Sequence, residues 1–185
     1  MAIESDEIVY SRFLKDRDSE ALRTLLERHR EGLTLFIYGY VRNMEDAEDI
    51  MLNAFAVAAA EESGFSGKST FKTWLFGIGR NLARKHLRKQ KLQFWVSDTL
   101  EETSSEKAED ELIKGESRRE LYDAMNKLPD DYKNALYLVY FEDMSHEEVA
   151  EVMHKTKKQI YNLVFRGKQT LKGLLEEAGI ENAEY

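Results

Sequence analysis

The spacing of apolar residues along the chain predicts helices from one end to the other. Between residues 22 and 40, apolar side chains recur every three or four positions, which places them on one side of a helix. This stripe consists of Leu22, Leu25, Leu26, Leu33, Phe36, Ile37 and Tyr40. Few segments show the strict alternation of a half-buried strand, so the predicted fold class is all-α.

Polar residues mark where the N-terminal helices are expected to begin. Ser5, Asn43 and Ser69 each precede a helical pattern, and each side chain has an oxygen that accepts hydrogen bonds from backbone N–H groups. The first of these helices is expected to turn four apolar side chains inward: Ile8, Val9, Phe13 and Leu14.

The segment TFKTWLFGIGRNLARKHLRKQK, residues 70–91, has two different halves. Phe71 and Trp74 lie on an apolar stripe in the first half, so we expect them to pack in the core. The second half is basic, with Arg80, Arg84, Lys85, Arg88, Lys89 and Lys91. No carboxylate occurs within residues 70–91, although the chain has a net charge of −8. Such concentrated positive charge predicts a polyanion as the ligand.

The second half of the chain has the pattern of a helix-turn-helix. Ser145 precedes Glu148 by three residues, and Thr156 precedes Gln159 by three, so two capping boxes follow one another closely. They predict a short helix, HEEVAEVM, a tight turn near His154, and a second helix. The outer face of that second helix is basic and polar, which suits phosphates and base edges in a major groove.

A polar and mostly acidic stretch separates the two halves. Residues 97–117 are nearly free of large apolar side chains, which predicts a flexible linker. We therefore expect two small helical domains, at residues 1–95 and 118–185, joined by a linker at 96–117.

Composition narrows the possible chemistry. The chain has 185 residues and no cysteine, which excludes disulfides and thiolate metal sites. The four histidines have no metal-ligand spacing, and no phosphate loop or nucleophile motif occurs, so we expect no metal, no cofactor, no small-molecule substrate and no enzyme activity. No secretion signal or apolar run of about 18 residues is present, which predicts a cytoplasmic protein without membrane insertion.

The order of these motifs resembles a known family. DAEDI, FSGKSTFKTWLFGIGRNLARKHLRKQK, an acidic linker, LPDDYKNALYLVYFEDMSHEEVAEVM and QIYNLVFRGKQTLKGLL are similar to segments of bacterial sigma factors of the extracytoplasmic-function (ECF) group, within the sigma-70 family. The resemblance covers about residues 8–176. It implies an N-terminal domain that binds RNA polymerase and melts promoters at the −10 element, and a C-terminal domain that reads the −35 element.

The resemblance also implies partners and site residues. The implied partners of the protein are core RNA polymerase, promoter DNA and an anti-sigma factor. It places polymerase binding on Asp46, Glu48, Asp49 and Asn53. It places contacts with the −10 region on Phe65, Ser66, Lys68, Ser69, Arg80, Asn81, Arg84, Lys85, Arg88 and Lys89. It places contacts with the −35 region on Lys157, Lys158, Gln159, Tyr161, Asn162, Arg166 and Lys168.

In the family, the loop after the acidic helix captures a base flipped from the non-template strand, which corresponds to residues 64–69 here. Phe65 has two possible roles in this loop, as a plug for the core or as a platform that stacks on the base. Some positions depart from the family pattern. Leu52 and Asn53 replace a Gln-Glu or Gln-Asp pair, and Tyr161 and Leu163 stand where Arg or Lys is frequent.

Two other functions fit parts of the sequence. A free-standing helix-turn-helix regulator would bind duplex DNA as a dimer, and it would have no use for the basic stretch that begins at Arg80. An adaptor that binds polymerase without reading DNA would keep its function after charge reversal at Arg84 and Arg88.

Overall fold

The computed structural model describes residues 4–60, 64–96 and 116–179, and within these ranges the regular structure is entirely helical. This confirms the predicted all-α fold class. The predicted linker lies almost wholly outside the described residues, because only its outermost positions fall within helices. The chain divides into two compact units between residues 104 and 105.

Among the described residues, each unit contributes four helices. The N-terminal unit contains α1 (Asp6–Asp16), α2 (Ser19–Val41), α3 (Met44–Ala59) and α4 (Phe71–Val96). The C-terminal unit contains α5 (Glu116–Asn126), α6 (Asp130–Tyr140), α7 (His146–Met153) and α8 (Lys157–Glu177). In the N-terminal unit, α2 packs against each of the other three helices. In the C-terminal unit, α8 does the same.

Helix starts follow the predicted caps with one exception. The side chains of Ser5 and Asn43 accept hydrogen bonds from the N–H groups of the third residue after each, as predicted. At α4 the predicted cap, Ser69, is wrong by one residue. The Thr70 hydroxyl accepts from the N–H of Thr73 at 3.1 Å, so the helix begins one position later.

The N-terminal core lies around α2 and α4. Its largest fully buried side chains are Tyr10, Leu25, Leu33, Phe36, Ile37, Met44, Phe71, Leu75 and Phe76. Close approach of α2 and α4 depends on Gly79, because a Cβ there would lie 2.8 Å from Cδ1 of Leu33. The predicted core face of α1 is wrong at Ile8 and Leu14, which are exposed. Tyr10 is buried instead, since it lies on the same side of α1 as Val9 and Phe13.

The helix-turn-helix of the C-terminal unit is formed as predicted. Both capping boxes are present, so α7 begins after Ser145 and α8 begins after Thr156. Between the helices His154 adopts the left-handed conformation, with φ of 52°, which ends α7 abruptly. Val149 of α7 and Ile160 and Val164 of α8 are buried, and the two helices pack against each other.

Candidate nucleic-acid and protein interfaces

Helix α8 presents the predicted recognition residues to solvent. The seven predicted positions are all exposed: Lys157, Lys158, Gln159, Tyr161, Asn162, Arg166 and Lys168. Phe165 is also 64% exposed on this helix, a position that the sequence analysis did not select. The sequence pattern does indicate this exposure. Ile160, Val164 and Gly167 follow the helical spacing of the buried side, and Phe165, between Tyr161 and Arg166, falls outside that spacing.

Two of these side chains already have a hydrogen-bond or ion-pair partner within the unit. The side-chain oxygen of Gln159 accepts a hydrogen bond from the N–H of Thr156 at 2.8 Å, so only its amide N–H₂ is available to DNA. Lys157 forms an ion pair with Glu147 of α7. The hydrogen bond between them lowers the pKa of Glu147 and raises that of Lys157. The charge of Lys157 is therefore partly compensated.

Tyr161 is held in place by its neighbours. Its ring stacks on His146, the first residue of α7, with centroids 4.2 Å apart and planes 12° from parallel. The ammonium group of Lys157 lies 5.8 Å from the centre of the same ring. At the other end of the surface, Lys168 lies 5.2 Å from the ring of Tyr140. His146 was not among the predicted site residues.

The basic half of α4 differs from the prediction at its first member. Asn81, Arg84, Lys85, Arg88 and Lys89 are exposed. Arg80 is only 6% exposed, and its Nε and Nη1 atoms have no hydrogen-bond partner among the described residues. Arg80 lies one turn after the fully buried Phe76, on the side of α4 that the other helices cover. The exposed basic surface therefore begins at Arg84.

The loop before α4 is described from residue 64 to 70. Its Phe65 ring packs against Tyr10, Phe71 and Trp74, with the ring centres of Phe65 and Trp74 5.0 Å apart. This favours the first of the two roles considered for Phe65, a plug for the core. Ser66 and Lys68 are exposed, and Ser69 is half-buried.

Helix α3 carries the predicted polymerase-binding residues. Glu48, Asp49 and Asn53 are exposed, and Leu52 lies among them with 53% of its surface exposed. Asp46 is turned toward α4, where its Oδ2 lies 3.3 Å from Nε2 of His86. The outward surface of α3 is thus acidic with an apolar centre, and Asp46 lies at its edge.

Neither a metal-binding cluster nor a membrane-spanning helix occurs within residues 4–60, 64–96 and 116–179. No group of three or more His, Asp or Glu side chains in them is placed to hold a metal ion. None of their helices combines the length and the apolar character needed to cross a membrane.

A helix-turn-helix with a basic recognition face, joined to a second helical unit with a basic helix, defines a DNA-binding transcription protein. Family comparison gives the particular class. Residues 25–93 match the model for Sigma-70 region 2, and residues 118–171 match the model for Sigma-70, region 4. The chain belongs to the sigma-70 family, and its relatives place it in the ECF group of sigma factors.

Curated relatives match over nearly their whole length. An ECF RNA polymerase sigma-E factor from Haemophilus influenzae is 26% identical over 170 residues, which cover 86% of this chain and 89% of the relative. The ECF RNA polymerase sigma factor SigW from Bacillus subtilis is 23% identical over 175 residues, with 89% and 94% covered.

Solved structures share the fold. The sigma factor RpoE in complex with the anti-sigma factor NepR, from Bartonella quintana, matches with a TM-score of 0.69 and 24% identity over 83% of this chain and 96% of that one. CnrH in complex with the cytosolic domain of CnrY matches with a TM-score of 0.67 and 20% identity, over 94% and 99%.

Proposed function

We propose that this chain binds core RNA polymerase and directs it to promoters. The C-terminal unit reads the −35 element, and the N-terminal unit binds the −10 element and helps to melt it. One observation carries this proposal: two basic surfaces of different character lie in separate units, and each unit matches its own sigma-70 region. A free-standing regulator would use only the helix-turn-helix, so it leaves the basic end of α4 without a role.

At the −35 element, we assign the exposed face of α8 to the major groove. Its lysines at 157, 158 and 168 suit phosphate oxygens, which set affinity and register. Asn162 and Arg166 suit base edges, because their side chains make directional hydrogen bonds. Tyr161 suits the methyl group of thymine, since its exposed ring edge is apolar.

At the −10 element, we assign residues 64–69 to an unstacked base and the exposed end of α4 to the strand backbone. Because the Phe65 ring faces the core, the polar groups of Ser66, Lys68 and Ser69 remain as candidates for contacts with the base. Arg84, Lys85, Arg88 and Lys89 would follow the phosphates, with Asn81 at the start of this surface. Arg80 is left out of the contact set because it is buried.

For polymerase, we assign the outward surface of α3. Glu48 and Asp49 would attract a basic surface, and Leu52 would supply the apolar contact at its centre. The overall charge of −8 fits this role. A factor that reaches DNA as part of polymerase does not need to bind duplex DNA by itself, and a net negative charge weakens such binding.

We also propose that the protein acts in the cytoplasm as a non-catalytic initiation factor and has an anti-sigma partner. The last point has support from a structural relative that is itself bound to an anti-sigma factor. Such a partner would block both functions in one step by covering the surfaces that bind polymerase and DNA.

The experiment that tests the function compares two binding partners for the full chain. Labelled protein is titrated with core RNA polymerase and, separately, with genomic duplex fragments, at about 150 mM salt to screen nonspecific phosphate attraction. We expect tight binding to core, weak binding to duplex, and transcripts from a subset of fragments. Tight and selective duplex binding without polymerase would instead establish the free-standing regulator.

Charge reversal separates a sigma factor from an adaptor. Replacing Arg84 and Arg88 together by Glu should leave core binding intact and abolish open complexes. A control variant, Arg30→Glu, reverses one exposed charge on α2. Normal transcription by the double variant would mean that the protein does not use α4 to hold DNA.

A further inference from the structure

Helix α1 contacts the chain on both sides of the loop before α4. On the near side, the hydroxyl of Tyr10 donates a hydrogen bond of 2.7 Å to the carbonyl oxygen of Ala58, in the last turn of α3. Tyr10 is only 1% exposed, so water does not compete for this bond. The end of α3 is therefore fixed to α1.

On the far side, α1 supplies a cap for α4. An oxygen of Glu7 accepts a hydrogen bond of 2.9 Å from the N–H of Phe71, the first residue of α4. Helix starts favour negative charge, yet the first turn of α4 contains no acidic residue of its own. Glu7 thus provides, from 64 residues away in the chain, the carboxylate that this helix start lacks.

The loop itself also rests on α1. The ring of Phe65 meets the ring of Tyr10 edge-on, with centres 5.4 Å apart and planes 84° from parallel. This is a favoured arrangement for two aromatic rings. One side chain of α1 therefore contacts both the end of α3 and Phe65, near the start of the described loop.

Helix α1 is in turn fastened to α2. Asp6 accepts a hydrogen bond from Arg28 at 2.7 Å, and its second oxygen lies 2.6 Å from Nε2 of His29. Because His29 is buried, this contact fixes α1 against the core of the unit. The position of the loop is thus set through a continuous series of contacts that runs from α2 through α1.

We infer that α1 is the positioning element of residues 64–70, the loop proposed above to receive an unstacked base. Glu7 and Tyr10 act as positioning residues: they hold both flanks of the loop and turn Phe65 inward, which leaves the polar groups of Ser66 and Lys68 outward. A loop held in this shape loses less conformational entropy when a base enters. The inference rests on the proposed function of the loop.

Holoenzyme assembled from the full chain and core polymerase tests the inference. Promoter fragments recovered from the transcription experiment carry the fluorescent base 2-aminopurine at one −10 position of the non-template strand at a time. A base that leaves the stack becomes brighter, so the signal reports capture. Three variants are compared with the wild type: Glu7→Ala, Glu7→Gln and Tyr10→Phe.

We expect a signal decrease of about two- to tenfold for Glu7→Ala and Tyr10→Phe, the range that one net hydrogen bond represents. Glu7→Gln keeps an oxygen acceptor but loses the negative charge, so it should lie between the wild type and Glu7→Ala. Tyr10→Phe keeps every ring contact, so it should fold even if Glu7→Ala does not. Core affinity should be unchanged in all three, and Glu31→Ala serves as a control for removing an exposed carboxylate from the same unit.

The possible failures are distinguishable. If the wild type forms open complexes and no −10 position brightens, the loop does not capture a base, and the proposed role of residues 64–69 is wrong. If the wild type brightens and both Glu7→Ala and Tyr10→Phe match it, the loop works without α1, which overturns the inference alone.

Discussion

His146 and Tyr161 stack face to face, with ring centres 4.2 Å apart, and so join the first residue of α7 to the outer face of α8. Tyr161 is 51% exposed, yet one face of its ring is covered. A side chain on a recognition helix normally has several rotamers to lose on binding. Here one orientation is already selected before DNA arrives.

The stack predicts that His146 affects how the −35 element is read. Loss of an aromatic contact worth about 0.5–1.5 kcal/mol should reduce discrimination at the base pair next to Tyr161 by about two- to tenfold in His146→Ala. The measurement is duplex affinity for a selected −35 sequence and for copies in which each thymine is replaced by deoxyuridine. His146→Phe retains the stack and should behave like the wild type. An alanine variant with unchanged thymine preference would rule out this role.

The contacts of Asp6 predict a pH-dependent part of the stability. Burial acts to raise the pKa of Asp6, but the hydrogen bonds and charges of His29 and Arg28 outweigh it and lower the pKa. A carboxylate with a lowered pKa in the folded state stabilises the fold above its unfolded pKa, near pH 4. This contribution is lost as the pH falls through the folded value.

Asp6→Asn should therefore lower the free energy of unfolding by about 1–2 kcal/mol at pH 7. The difference from the wild type should shrink as the pH falls below about 5, where the carboxylate of Asp6 takes up a proton. Urea unfolding of both proteins at several pH values between 3 and 7 provides the measurement. Asp16→Asn, at the exposed end of α1, should change little at any pH. A gap between Asp6→Asn and wild type that grows in acid contradicts the assignment.

Two glycines in α4 form a matched pair. A Cβ at Gly79 would lie 2.8 Å from the buried Leu33 side chain, whereas a Cβ at Gly77 would meet nothing within 4 Å. Gly79→Ala should destabilise the protein by about 1–3 kcal/mol, because the core must shift. Gly77→Ala should stabilise it by about 0.5–1 kcal/mol through helix propensity alone. Thermal unfolding measures both, and equal effects of the two changes would disprove the close packing of α2 and α4.

Charge reversal on α3 tests the polymerase surface. Asp49→Lys should weaken binding to core RNA polymerase by about tenfold or more, because it places a like charge against a basic partner. In the same full-length variant, duplex binding through the C-terminal unit should not change. Glu31→Lys reverses an exposed acid on α2 and provides the comparison. Core binding that responds equally to both substitutions would indicate a nonspecific effect of net charge.

Local sequence signals predicted the helix starts well, because caps act over three residues. The capping boxes at Ser145 and Thr156 placed α7 and α8 at their observed first residues. Tertiary contacts decided what local signals did not. The side of α1 that carries Val9, Tyr10 and Phe13 is buried because it packs against α2 and α4. The spacing within α1 places these three residues together, but only contacts with distant segments decide that this side, and not one with Ile8 and Leu14, is covered.

The predicted site residues show the same division between positions set by local signals and positions set by tertiary contacts. The exposed positions of α8 follow from helical period alone. Arg80 shares that period with Arg84 and Arg88, but the other helices cover this row of side chains at Arg80 and no longer at Arg84, and no local signal marks that point. The stack of His146 on Tyr161 joins two helices, so predicting it would require knowledge of how α7 and α8 are placed relative to each other.

In α8, the side chains that hold the helix and those that face outward are separate sets. Ile160, Val164 and Leu175 are buried, while Tyr161, Asn162 and Arg166 are exposed. Substitutions in the exposed set therefore change few interior contacts, and their cost to folding is small. Under the proposed function, exchanging side chains on this face can change which −35 elements are read while the interior of the unit keeps its packing.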